Sequence, residues 1–172
     1  MIKTDRLLLR PLRIEDADDM FEYTSNPKSN CFLTWEVHTS VKQDVKFIEN
    51  ALRKEKNGNI FWGIVLADNE KLIGCSRIYD ISDKHKRCEI SYIINPDYSG
   101  KGYATEALNA LIDWAFKDLH MNRVQALCLE ENKTSEQVMK KARMTCEGTL
   151  RNYAVLRDDK SYSMKIYSRI KE

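Results

Sequence analysis

Apolar residues recur three or four apart behind position 103, at Ala104, Ala107, Leu108, Leu111, Ile112, Ala115, Phe116 and Leu119. This rhythm predicts a helix with one buried face, and it is the strongest helical signal in the chain. Elsewhere the period shortens to two: in the expected strand Cys88 to Ile94, the residues Glu89, Ser91 and Ile93 share one face. Leu7 to Arg10 reads as a first strand, followed by an acidic helix start at Glu15-Asp16 that runs to about Thr24. Ser40 and Gln43 have the spacing of a capping box and open a helix to about Lys56. Ile60 to Leu66 and Leu72 to Tyr79 predict two strands joined as a hairpin across Asp68-Asn69-Glu70. Asn95-Pro96 stops the Cys88 strand, because proline lacks a donor and pushes its predecessor towards extended backbone. Arg123 to Leu129 is expected as a strand and Thr134 to Ala142 as a short helix. Thr145 to Leu156 and Ser161 to Arg169 then form a terminal pair around Asp158-Asp159. The mixed order predicts an α/β or α+β sheet protein with at least one crossover helix.

Composition narrows the class. No repeat, low-complexity stretch or Pro/Gly/Ser-rich linker divides the 172 residues, so one domain spanning 1–172 is expected. Hydrophobic residues at 42% and charged residues at 31% describe an ordinary globular chain. Lys plus Arg (28) nearly balances Asp plus Glu (26), which gives no global field favouring nucleic acid or a membrane surface. The five cysteines are scattered without a C-x-x-C pair, and the three histidines form no H-E-x-x-H, so neither a disulfide framework nor a metal is expected. The three-leucine run near the N-terminus is too short for a signal h-region, and Ile60 to Ala67 is too short to span a bilayer. The expected compartment is the cytoplasm.

The stretch "NPDYSGKGYATEAL" places two of the six glycines, Gly100 and Gly102, just before the predicted helix. A tight turn explains such a pair, and so does a ligand that approaches bare backbone. A P-loop would need glycine at position 95 and Ser or Thr at position 102, where Asn95 and Gly102 stand. A dinucleotide fingerprint would need Gly or Ala in place of Thr105, and it would open the first βαβ unit of the chain. The remaining device is a pyrophosphate cradle, built from successive backbone N–H groups at the positive end of a helix.

Nearly the whole chain resembles the GNAT superfamily of N-acetyltransferases, in its RimJ/RimL-like branch. "TDRLLLRPLRIEDADDMFEY" is similar to that branch's opening strand and helix, and "EISYIINPDYSGKGYATEALNALIDWAF" to its cofactor-binding segment. "NRVQALCLEENKTSEQVMKKARM" and "EGTLRN" resemble the strand, helix and closing strands that come after it. The superfamily pattern [Q/R]-x-x-G-x-[G/A] is met by Ser99-Gly100-Lys101-Gly102-Tyr103-Ala104 at all but its first position. The resemblance implies a central, mostly antiparallel twisted sheet with one splayed parallel strand pair and about four flanking helices. It also implies acetyl-CoA as cosubstrate, no metal, an amine acceptor, and a monomer or homodimer.

Site residues follow from the same likeness. Tyr92, Ile93 and Ile94 would offer a free strand edge to the pantetheine arm, much as an added strand is received. Ser99, Gly100, Lys101, Gly102, Tyr103, Ala104 and Thr105 would hold the pyrophosphate, with Lys101 either a nearby cation or a solvated side chain. Asn132 and Ser135 would contact pantetheine, although both also suit the N-cap and first turn of the predicted helix. A backbone N–H near Ile93 or Ile94 would face the thioester oxygen, and Glu89 would act as base unless it is a structural ion-pair member. The superfamily's acidic tyrosine is matched by Met139, so that route is absent; the resemblance suggests Ser135 as the acid, the alternative being a proton taken from solvent or from the product ammonium. Phe32, Trp35, Glu89 and Tyr153 would meet the acceptor, the aromatics either as walls or as core. Ser99 and Ala142-Arg143-Met144 depart from the branch pattern. The expected activity is transfer of acetyl to a primary amine, on a protein N-terminus or a small molecule, by direct attack in a ternary complex. The second reading is a non-catalytic acyl-CoA-binding or sensor domain on the same fold.

Overall fold

A computed structural model describes residues 1–30, 36–55, 58–156 and 158–172. The elements run β1 (Ile2–Lys3), β2 (Leu7–Arg10), α1 (Ala17–Thr24), α2 (Val41–Glu55), β3 (Ile60–Leu66), β4 (Leu72–Ser82) and β5 (Arg87–Ile94). After these come α3 (Tyr103–Lys117), β6 (Arg123–Leu129), α4 (Lys133–Lys141), β7 (Thr145–Val155) and β8 (Ser161–Ile170). Each expected element forms, with ends displaced by a few residues at most. β1 is an addition to the expected set, and the Lys56 end expected for α2 lies outside the described residues.

All eight strands join one sheet in the order β1-β2-β3-β4-β5-β6-β8-β7. The first five succeed one another as antiparallel neighbours, as short connections allow. α3 then carries the chain back over the sheet, so β6 lies parallel to β5, the crossover that its length and apolar stripe imply. Two apolar layers close the sheet's faces. α3 and α4 bury Leu108, Leu111, Ile112, Phe116 and Met139 against Leu9, Ile64, Ile90 and Val124. On the opposite face, α1 and α2 bury Met20, Tyr23, Ile48 and Ala51 against Phe61, Val65, Leu72 and Cys75.

Local chemistry sets the helix ends. Gln43 Oε1 accepts the backbone N–H of Thr39 and of Ser40, at 2.7 and 3.1 Å, so the glutamine arm of the expected capping box is made. At the C-terminus of α4, Arg143 N–H donates to Lys140 O and Met144 N–H to Met139 O, both at 3.0 Å. This is a Schellman closure, with Met139 and Met144 packed in the same core. Arg143 takes the left-handed position (φ +59°) that glycine usually fills. The Ala142-Arg143-Met144 departure therefore keeps the motif, at a cost of about 1–2 kcal/mol for the side chain's clash with backbone.

Two features of the sheet open a gap at its centre. β5 and β6 pair over only three positions, Arg87 with Arg123, Cys88 with Val124 and Glu89 with Gln125, and then part. Beside the opening, β4 carries Gly74, where a Cβ would fall 2.2 Å from the Ile93 carbonyl oxygen and 3.0 Å from Ile94 Cα. Glycine at 74 lets β5 crowd inwards as it leaves β6.

Candidate functional site

The gap between β5 and β6 begins at Glu89, the last paired residue. Asn95 N–H donates to Ile73 O at 2.7 Å, and the register of β4 with β5 is regular from that pair down to Tyr79 with Glu89. Hydrogen-bonded and non-bonded pairs alternate along an antiparallel ladder. Glu89, Ser91 and Ile93 therefore spend their backbone groups on β4, while Tyr92 and Ile94 turn theirs towards the gap. Of the two N–H groups expected to face a thioester oxygen, Ile94 has the suitable direction and Ile93 does not.

A cleft of about 510 Å³ continues from this edge to the start of α3. Tyr92, Ile93 and Ile94 line it on one side, Asn132 and Ser135 on another. Ser99, Gly100, Gly102, Tyr103, Ala104 and Thr105 form its far end. Gly100 and Gly102 both have left-handed backbone (φ +76° and +87°), and Gly102 is the N-cap residue of α3. A side chain there would be strained, and glycine leaves the amides uncovered. The N–H groups of Tyr103, Ala104 and Thr105 have no partner within the helix, as at any helix start, and these residues all line the cleft. The donors and the positive helix end suit a pyrophosphate. Lys101 is not part of the wall; its Nζ donates to the Asp97 carbonyl at 3.0 Å and sits over the Tyr98 ring.

The loop is braced from far along the chain. The Arg6 side chain donates to the Lys101 carbonyl at 3.0 Å, stacks on the Tyr103 ring at 4.5 Å, and pairs with Glu106 at 2.6 Å. Thr4 Oγ1 and the Arg6 N–H also donate to Glu106, at 2.7 and 2.9 Å. Burial works against the charged carboxylate of Glu106, but these hydrogen bonds and the Arg6 charge prevail and hold it below the usual range. Replacing Arg6 with Ala is expected to raise KM for acetyl-CoA about three- to tenfold with kcat little changed. The modest size follows from a side chain that is 47% exposed. Steady-state kinetics at saturating acceptor would check it.

At the mouth of the gap, Glu89 is gripped from both neighbouring strands. The Tyr79 hydroxyl donates to Oε1, and Gln125 Nε2 donates to Oε2 at 3.1 Å. Burial raises the Tyr79 pKa, and the contact with Glu89 raises it further, so the phenol stays protonated as a donor. On the cleft side, the Tyr92 hydroxyl lies 3.0 Å from Ser135 Oγ. Burial also raises the Tyr92 pKa, against a smaller opposing effect from Ser135. Asn132 Oδ1 accepts the Ser135 N–H at 3.0 Å, so Asn132 caps α4 and lines the cleft at once. Met139 is fully buried beneath the helix.

Among the expected acceptor residues, Phe32 and Trp35 lie outside the described residues, and Tyr153 is exposed on β7. Sequence patterns mark neither Arg6 nor Ser29. Ser29 lines the cleft with its Oγ buried and without a hydrogen-bond partner. No periodicity points to it, and only the closed fold brings it there.

Residues 6–145 match the family model described as acetyltransferase (GNAT) domain. The chain is 32% identical over 173 residues to the uncharacterized N-acetyltransferase YoaA of Bacillus subtilis, covering 99% of this chain and 97% of that one. The fold superposes on the microcin C7 self-immunity acetyltransferase MccE, solved with acetyl-CoA and AMP, at a TM-score of 0.87 and 24% identity. That match covers 98% of this chain and 94% of the other. RimL, the ribosomal L7/L12 alpha-N-protein acetyltransferase solved with coenzyme A, gives a TM-score of 0.85 at 20% identity, over 97% of this chain and 95% of its own. With its splayed strand pair and glycine-lined helix start, this chain belongs to the GNAT family and is an acetyltransferase that uses acetyl-CoA.

Proposed function

We propose that the protein transfers the acetyl group to a primary amine, on a polypeptide N-terminus or a small molecule, by direct attack within a ternary complex. The observation that carries this reading is the position of Glu89 at the point where β5 and β6 part. Acetyl-CoA, when bound, supplies the activated acyl carbon. Glu89 and Tyr92 stand an odd number of residues apart on one strand, so their side chains leave opposite faces of the sheet. Glu89 would take the proton of the incoming amine, directly or through water, from the α1/α2 face. Its orientation is held by Tyr79 and Gln125.

The Tyr92 hydroxyl stands on the cleft face with Ser135 Oγ. Even with its pKa raised by burial, a phenol is a stronger acid than an alkyl hydroxyl, so Tyr92 is the better proton source and Ser135 its relay. Tyr92 thus joins Ser135, the acid that the resemblance suggests. The Ile94 N–H is the donor directed at an oxygen that gains charge in the gap. A RimJ/RimL-like relationship is supported by the opening "TDRLLLRPL" stretch, whose Arg6 braces the cleft loop.

The test is thiol release from acetyl-CoA across a panel of peptides with free N-termini and simple alkylamines. At least one class is expected to give saturable turnover. Thermal protection by coenzyme A with no turnover on either class would overturn the amine-transfer reading.

A further inference from the structure

On the α1/α2 face of the sheet lies a second, smaller cavity of about 140 Å³, lined by Met20, Tyr23, Thr24, His38, Phe47 and Cys75. Its walls are mostly apolar, yet the Tyr23 hydroxyl has no hydrogen-bond partner, on a residue only 1% exposed. The Cys75 thiol beside it offers only the weak hydrogen bond of a thiol. An unpaired buried hydroxyl normally costs stability, so its presence beside an internal space points to an occupant. The polar side of the cavity is fixed in place. Thr24 Oγ1 donates to Asp44 Oδ1 at 2.8 Å, His38 Nδ1 lies 2.9 Å from the same oxygen, and the His38 N–H donates to the Thr24 carbonyl at 3.0 Å.

The cavity adjoins the reaction gap through the sheet itself. Cys75 pairs with Ile93 across β4 and β5, and Ile93 lines the acetyl-CoA cleft. Cys75 and Ile93 pack in the same apolar layer, on the face from which Glu89 projects. Described residues between α1 and α2 touch both spaces, since Ser29 lines the cleft while His38 lines the cavity.

We propose that this cavity receives the substituent of the acceptor amine, an apolar chain of about four or five non-hydrogen atoms ending in one uncharged polar atom that pairs with the Tyr23 hydroxyl. The inference rests on the amine-transfer reading. Size sets the length, since a water-sized group takes about 30 Å³. Wall chemistry disfavours an ammonium tail: none of the described lining residues is acidic, although Asp44 Oδ2 is buried nearby without a hydrogen-bond partner, and a charge desolvated among Met20, Phe47 and Cys75 would be costly.

Four amines of similar basicity separate the possibilities: methylamine, butylamine, 4-aminobutan-1-ol and 1,4-diaminobutane. The expected order of kcat/KM is aminobutanol, then butylamine, then the diamine, with methylamine as the substrate that does not reach the cavity. Tyr23→Phe, which keeps the shape, should erase about three- to tenfold of the preference for aminobutanol over butylamine. It should lower the melting temperature little, because the hydroxyl it removes has only the weakly bonding Cys75 thiol beside it. Cys75→Met should narrow the cavity and cut turnover of both four-carbon amines about tenfold, sparing methylamine and acetyl-CoA binding. An unchanged aminobutanol preference in Tyr23→Phe, or a parallel fall for methylamine, would overturn the proposal. A melting shift with aminobutanol plus coenzyme A, lost in Cys75→Met, reads the cavity without turnover. That shift with no acetylation of any amine would sink the transfer reading while upholding the cavity as a binding site. Acetylation with no discrimination and no shift would sink the cavity alone.

Discussion

Glu89→Gln should lower kcat about 10²- to 10⁴-fold, the range in which a positioned general base acts. KM for acetyl-CoA should stay within about twofold, because Glu89 sits at the strand junction and is not among the residues lining the cofactor cleft. The substitution preserves size, but it replaces one acceptor oxygen with an NH₂ group. That group must face either the Tyr79 hydroxyl or the Gln125 amide nitrogen, and both are donors to the carboxylate in the native chain. Tyr79 can rotate its hydroxyl hydrogen and accept, so the fold should survive while the base is lost. The split between turnover and binding is a readout that a structural role would not give, since kcat should fall while KM for acetyl-CoA and the melting temperature hold. A kcat within threefold of native would remove Glu89 from the chemistry and leave it as the link between β4, β5 and β6.

Asp16→Ala should destabilise the fold by about 3–5 kcal/mol, a large share of the 5–15 kcal/mol typical of a native protein. The Asp16 carboxylate takes both forks of the Arg10 guanidinium, at 2.8 and 2.7 Å, and also the Arg13 N–H at 2.8 Å. Arg10 and Asp16 are only 6% and 5% exposed, so neither is rescued by water when the other is removed. The hydrogen bond with Asp16 is the largest influence on Arg10, and it raises a pKa that burial alone would lower. Arg10 therefore cannot shed its charge, and Asp16→Ala strands a buried cation. Urea unfolding should show the loss as a lower midpoint with an unchanged slope. The double variant Arg10→Met, Asp16→Leu should recover most of it, because apolar groups need no partner. Failure to recover would assign the loss instead to the Arg13 N–H and the entry into α1.

The elements were legible because each is written in neighbouring residues. The stripe from Ala104 to Leu119 yields α3, Asn95-Pro96 ends β5, and Arg123–Leu129 is β6 to the residue. The cleft was legible for the same reason: Tyr92 to Ile94 and, apart from Lys101, Ser99 to Thr105 are contiguous runs, and Asn132 and Ser135 stand at the same helix start. What stayed hidden depends on contacts between distant positions. Arg6 meets Glu106 a hundred residues on, and no local pattern announces it. Gly74 looks like any glycine in a strand until β5 is laid against it. Tyr92 has a plain strand position, and its pairing with Ser135 exists only once α4 folds over the gap. β1, two residues long, is too short to carry a period at all.

The three-position contact between β5 and β6 also bears on how the molecule holds together. The sheet is in effect two panels, β1 to β5 and β6-β8-β7, stitched along one short seam. Beyond the seam the panels are bridged by α3, α4 and the core beneath them, not by backbone ladder. A ligand lying in the gap continues the stitching, so its binding free energy adds to the cohesion of the panels. On the proposed binding mode, the same discontinuity leaves the empty protein easier to open there, and acetyl-CoA lying along it would close the sheet as an inserted strand does.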